Sequence, residues 1–280
     1  MNEIVAEPKK RPRPRLVLAS KSPARKTTLL AAGVDPIVRV SGVDEEAVVA
    51  DLQSTRGGEA SPAEIVCAQA AAKALEVASS FAAELNDAND TAAETEYAHL
   101  ADDDATDVCN DCLENSDTDK ASAAHLTNHA TSEAGGVYLV IGCDSMLEIG
   151  GRMVGKPLTP EVARERIREM RGTDGTLWTG HSLVPIRRSL SGEWIVDSPL
   201  TQAASTIVHF GQITDREIDA YVATGEPLEV AGSFTIDALG GPFVEGVTGD
   251  PHAVVGISLP LLKKLTDQAG VFWPDFWTND

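Results

Sequence analysis

Two clusters of residues in this chain have the types and spacing to handle phosphate. In the first, LVLASKSPARKTTLL at 16–30, Ser20 or Ser22 can cap a helix that Pro23 opens, and Lys21, Arg25 and Lys26 crowd its start. A helix N-terminus is already partly positive, so each cation there is unfavourable by about 0.3–1 kcal/mol. A bound anion reverses that sign, and backbone N–H groups, serine hydroxyls and cations on one point make a phosphate site. The same residues also read as an ordinary strand–turn–helix with solvated lysines. In the second cluster, VYLVIGCDSMLEIGGRMVGKP at 137–157, Asp144 follows an apolar run and Lys156 lies beyond a Gly150-Gly151 hairpin turn. A carboxylate at a strand end and a lysine on a returning hairpin suit a base and a phosphate clamp. An Asp after a strand can equally be a turn residue.

The elements that must hold these groups are an alternation of strands and helices. Residues 16–19 and 137–141 are short apolar runs that predict buried strands, with Gly142 ending the second and leaving Asp144 at the sheet edge where ligands of α/β folds gather. Ser61-Pro62-Ala63-Glu64 is a capping box opening a helix to about Leu85, with Val66, Ala70, Lys73 and Val77 on one face. Lys73 interrupts that apolar stripe, which a snorkelling lysine also explains. Thr159-Pro160 opens another helix, with Ala163, Ile167 and Met170 inward and Arg164, Arg166, Arg168 and Arg171 mostly outward as a solvated face. The runs at 176–210 suit antiparallel strands, in which His181 and His209 read as packed or exposed. Thr214 to Glu217 is a further capping box, with Ile218, Tyr221 and Val222 as its core face and Gly225 as its stop.

With those residues in view, SKSPARKTTLL, GCDSMLEIGGRMVGKP, TGEPLEVAGSFTIDALGG and GDPHAVVGISLPLL resemble, in order and spacing, the Maf family of nucleoside triphosphate pyrophosphatases. The resemblance covers about 15–83 and 135–270. It implies an α/β fold, a mixed sheet flanked by helices in two lobes around a substrate cleft (Maf/ITPase-like). The implied activity is hydrolysis of an NTP or dNTP, standard or modified, to the nucleoside monophosphate and pyrophosphate with a divalent metal cation, Mg²⁺ or Mn²⁺. Carried over residue by residue, it makes Asp144 the general base and Ser20, Arg25, Lys73 and Lys156 the phosphate-binding residues. Glu45, in Val43-Asp44-Glu45-Glu46 after an apolar strand, is by its own position a candidate metal ligand or second acid, and Asp237, where the family has a Gln, bears on base specificity. The usual Pro-Arg-Arg is Pro23-Ala24-Arg25 here, Glu229-Val230 replaces an Asp-Lys, Ile236-Asp237 replaces an Ile-Gln, and His252-Ala253 replaces a Ser-Asn. These departures put base preference in doubt. A rival reading of another class is a non-catalytic nucleotide-binding regulator of cell division.

Composition narrows the partners. A formal charge of −20 argues against a nucleic-acid polymer. No apolar run approaches the ~20 residues that span a bilayer, so no membrane is expected. Four cysteines without a regular framework point to a reducing cytoplasm. Residues 1–14 read as a disordered basic tail and 15–270 as one domain. Residues 271–280 read as an aromatic C-terminal tail that packs or forms a homodimer contact. An acidic insertion at 85–134 interrupts the domain; Glu84 to Glu133 hold 14 acidic residues and one lysine, which predicts disorder. Cys109, Cys112, His125 and His129 within it match the C-x2-C-x12-H-x3-H spacing of a zinc finger, yet Ser116 and Ser122 stand where its core aromatic and leucine belong. A zinc-dependent interaction module there is a third reading.

Overall fold

The computed structural model of the chain describes residues 13–101 and 136–277, the side chains of 90–101 excepted. Within them the chain folds as β1 (Arg15–Ala19), α1 (Pro23–Ala31), β2 (Ile37–Arg39), α2 (Glu45–Arg56) and α3 (Pro62–Ala101). Then come β3 (Val137–Ile149), β4 (Arg152–Val154), α4 (Pro160–Met170), β5 (Asp174–Arg188), β6 (Trp194–Val196) and β7 (Leu200–Phe210). The chain closes with α5 (Asp215–Ala223), β8 (Val244–Thr248), α6 (Pro251–Val255) and α7 (Leu259–Gln268). The strands form one mixed sheet in the order β2-β1-β3-β5-β7-β8, with β4 beside β3 and β6 beside β5. The expected α/β architecture is thus present.

Two long antiparallel strands, β3 and β5, run the length of this sheet and carry both halves of the molecule. At the end where Ile141 pairs with Leu183, one face of the sheet packs on α7 and the other on α3. At the other end, Leu147 and Leu177 join Val208, Phe210 and Phe234 in a separate apolar cluster, and α4 and α5 form a further one. Between the two halves the buried residues turn polar: Asp144, Thr179, His181 and Ser182. That belt is where the two expected lobes meet.

The sheet has a notch at the belt. Parallel β1 pairs with β3 only as far as Leu18↔Ile141, and β4 begins pairing on the same edge at Leu147↔Val154. Residues 142–146 of β3 therefore face no strand on that side, while β5 covers their other edge throughout.

Gly142 does not end the strand, contrary to expectation; β3 continues to Ile149. The glycine is there for α3. A Cβ on Gly142 would sit 2.3 Å from the Ala70 carbonyl oxygen, and one on Gly180 of the neighbouring strand 2.1 Å from that of Val66. The two bare positions let the small face of α3 lie directly on the sheet. Val66, Val77 and Phe81 are buried against it, each contributing about 1.5–3 kcal/mol.

Helix α3 also runs past the expected stop at Leu85 to Ala101. The first residues assigned to the acidic insertion are therefore helical, and Asn86 and Asn89 bond the β5–β6 hairpin through Trp194, Gly192 and Arg188. Residues 102–135, with Cys109, Cys112, His125 and His129, lie outside the described residues, as do 1–12. By length and composition 62–89 could cross a bilayer, which the sequence reading denied; in this fold its apolar face is spent on the sheet. At the C-terminus Phe276 is buried and the Trp277 indole N–H donates to the Ala32 carbonyl, so the aromatic tail packs on the core.

Candidate active site

The notch is lined from both faces of β3, because consecutive strand residues point to opposite sides. Asp144 projects to the α3 face. There Lys73, three residues beyond Ala70 on the helix side that touches Gly142, places its ammonium 2.6 Å from Asp144 Oδ1 and 2.6 Å from Glu45 Oε1. Glu45 is the first residue of α2, whose N-cap Asp44 accepts from the Glu46 and Ala47 N–H groups. Three charged residues from three elements thus converge, with Asp144 and Lys73 nearly buried and Glu45 open to solvent. Burial pushes the Asp144 pKa above its ordinary value, against the opposing pull of Lys73 and Arg25.

Ser145 projects to the other face, toward the head of α1. Ser22 caps that helix and Pro23 opens it, as the sequence predicts. Arg25 bends back across its start, donating from Nε to the Gly256 carbonyl (2.8 Å), from Nη1 to Ser20 Oγ (3.0 Å) and from Nη2 to Ser145 Oγ (3.2 Å). Thr179 Oγ1 donates to the Ala253 carbonyl at 2.9 Å, so its hydroxyl proton is committed. Ser145, 3.0 Å away, must then donate to Thr179, and the chain Arg25–Ser145–Thr179–Ala253 runs one way. Lys21 and Lys26 are exposed beside it. Below, fully buried His181 bonds the Thr179 carbonyl through Nδ1 and accepts the Ser258 N–H at Nε2 (2.8 Å), which fixes one neutral tautomer. Burial lowers its pKa to about 4, and of the two expected placements, packed or exposed, it has the packed one.

The chain from β4 passes the far end of the notch. Gly150 and Gly151, both at positive φ, make the expected hairpin turn. Lys156 lies two residues past the Leu147↔Val154 pair, but its ammonium is 3.9 Å from Glu229 rather than among the Asp144 group. The α4 arginines are not a merely solvated face either. Arg164 pairs with Asp219, Arg168 and Arg171 with Asp215 on α5, and Arg166 turns inward to the Gly155 carbonyl and Ser233 hydroxyl.

Asp237 is exposed in the segment between α5 and β8. That segment is organised by Glu226, a residue the sequence reading passed over. Its carboxylate accepts from Thr235 Oγ1 (2.6 Å), the Tyr221 hydroxyl (3.0 Å) and the N–H groups of Gly240 and Leu239. Burial alone would raise its pKa; these donors hold it below the ordinary value. An acid just after a helix-stopping glycine and before two hydroxyl-bearing residues was the available signal.

With this geometry in hand, the family model for Maf-like proteins matches residues 15–269. This chain belongs to the Maf family. A protein of Mycobacterium sp. (strain JLS) is 40% identical over 265 residues, spanning 95% of this chain and 99% of its own. One of Saccharopolyspora erythraea is 42% identical over 265 residues, spanning 94% and 97%, and one of Nocardia farcinica 40% over 264, spanning 94% and 97%. All three are named nucleoside triphosphate pyrophosphatase. Five of the candidate residues border the notch in two contact groups, Glu45, Lys73 and Asp144 in one and Ser20 and Arg25 in the other; Lys156 and Asp237 stand apart from both.

Proposed function

We propose that this chain hydrolyses nucleoside triphosphates at the α–β anhydride, releasing a nucleoside monophosphate and pyrophosphate, with Asp144 as general base. The observation that carries the reading is the buried Asp144 in contact with Lys73, beside a break in the sheet, in a chain of this family. A carboxylate made more basic by burial accepts a proton from water better than an exposed one. The water oxygen bonds to the α-phosphorus, the bond to the β-bridging oxygen breaks with its electrons on pyrophosphate, and the water's proton stays on Asp144. Arg25, with N–H groups beyond its three internal bonds, and Lys73 meet the charge that builds on the phosphates. Lys156 supports the same role from the far end.

Glu45 and Asp144 also suit a divalent cation. Mg²⁺ is held by one or two carboxylates with phosphate oxygens and waters completing its shell, and two carboxylates already share one cationic group here. Bound there, the cation would neutralise charge on the phosphates. Cys67 and Cys143 are free thiols, in keeping with a reducing cytoplasm.

Asp144→Asn tests the reading. It keeps size and removes basicity, so kcat for pyrophosphate release should fall about 10²–10⁴-fold. Nucleotide affinity in the folded variant should suffer less. A variant retaining more than about a tenth of the wild-type kcat would move the base elsewhere, to Glu45 first.

A further inference from the structure

Among the described residues only two other than glycine hold a positive φ, Leu158 (62°) and Ser233 (63°). Both belong to one junction, where the chain leaving β4 crosses the segment after α5. Two backbone bonds tie the crossing: Gly232 N–H to the Gly155 carbonyl (3.2 Å) and Leu158 N–H to the Leu228 carbonyl (3.2 Å). Left-handed backbone at a leucine and a serine is strained and persists only where its surroundings impose it. Ser233 is fully buried. The group that reaches both sides is Arg166 of α4, whose Nη1 lies 2.6 Å from the Gly155 carbonyl oxygen and 3.3 Å from Ser233 Oγ. Gly155 thus accepts two donors, and Lys156 is the next residue, half-exposed at the far end of the notch.

The core face of α4 is Ala163, Ile167 and Met170, with Leu228 of the crossing packed against the cluster that holds the first two. Arg164, Arg168 and the C-cap Arg171 pair outward with Asp219 and Asp215 of α5, which leaves Arg166 alone turned into the crossing. A strained crossing clamped by a charge-assisted bond immediately before a lysine is a device for fixing where that lysine starts. We propose that Arg166 is a positioning residue: through the Gly155 carbonyl and the Ser233 hydroxyl it sets the backbone from which Lys156 meets the substrate's phosphates. This rests on the phosphate role of Lys156 given above, which the same experiment checks.

The experiment is a double-mutant cycle on the full chain with Arg166→Met and Lys156→Met, read as kcat and KM for a Mg²⁺–nucleoside triphosphate alongside Tm. Lys156→Met should lower kcat/KM, and Arg166→Met should lower it between about ten- and a hundred-fold, the cost of a misplaced contact group. The double variant should be no worse than Lys156→Met alone, because the second change removes what the first one places. Losses that multiply, an unaffected Lys156→Met, or an Arg166→Met that changes Tm without kcat/KM would each overturn the proposal. Should Arg166→Met fail to fold, Ser233→Ala removes one of the two contacts; it should give a smaller loss of kcat/KM that Lys156→Met again abolishes, and an additive loss overturns the idea. An inactive wild type would instead sink the pyrophosphatase reading itself.

Discussion

The Asp144 group and the segment around Asp237 are held together in opposite ways. At Asp144 the contacts join residues remote in sequence: Lys73 from α3, Glu45 from α2, and across the strand Arg25 from α1 to Ser145. Around Asp237 a single carboxylate, Glu226, gathers donors from within fifteen residues of itself. The first arrangement exists only once the sheet and its helices have packed, so a change in any one element is felt at the charges. The second can be altered at its exposed positions while Glu226 keeps the frame. The departures from the resemblance at Glu229-Val230 and Asp237 fall in the second region.

Lys73→Met should separate the two regions most sharply. It strands two carboxylates around a vacated cation position, one of them buried, and leaving a buried charge unpaired costs about 3–5 kcal/mol. Hydrolysis should drop at least about 100-fold, in line with removal of a group that stabilises transition-state charge. Mn²⁺ alone should bind more tightly than to wild type and raise the variant's Tm more, since it no longer competes with the ammonium. Equal Mn²⁺ affinity in the two proteins would show that the ammonium and the metal do not share a place.

Gly142→Ala attacks the same region through packing. A methyl group 2.3 Å from the Ala70 carbonyl oxygen must push α3 off the sheet, costing about 1–3 kcal/mol or more. Because α3 carries Lys73, kcat should fall further than the lost folded fraction explains; thermal melts beside activity at a temperature where the variant is folded would check this. A Tm within about a degree of wild type would mean that the helix yields locally.

The smallest effect is expected at Asp237→Gln, which adds donors to a group that only accepts. The ranking among nucleoside triphosphates should change while the rate with the best one stays within a few-fold. An unchanged ranking over a panel of bases would remove Asp237 from recognition.

These contrasts also explain what the sequence reveals. Caps are local, so Ser22, Ser61, Thr159 and Thr214 are legible as helix starts and the structure has each of them there. Asp144 and Lys73 are legible as candidates from an acid beside an apolar run and a lysine in an apolar stripe. Their contact is not, since it depends on Gly142 and Gly180 admitting a helix from seventy or more residues away. Gly142 read alone looks like a strand end, and only the carbonyl of Ala70 above it explains the continuation. The stretch after Leu85 was read by its charge, yet its alanines and glutamates are strong helix formers and the helix continues. Arg166 was hidden because arginines at 164, 166, 168 and 171 look alike on a helical wheel, and only the crossing of two distant segments gives one of them a different task.

The notch in β3 has a consequence for solubility. An open strand edge is a template on which foreign strands can build, and proteins shorten, charge or cover such edges. Here the opening spans 142–146 alone, closed at one end by β1 and at the other by β4. An intruding strand could form only two or three rungs there, at about 0.5–1.5 kcal/mol apiece, before meeting occupied backbone. It would also have to pass the Asp144 and Arg25 groups on either face. A broken edge thus leaves backbone unpaired in the middle of the sheet over too short a stretch for a foreign strand to build on.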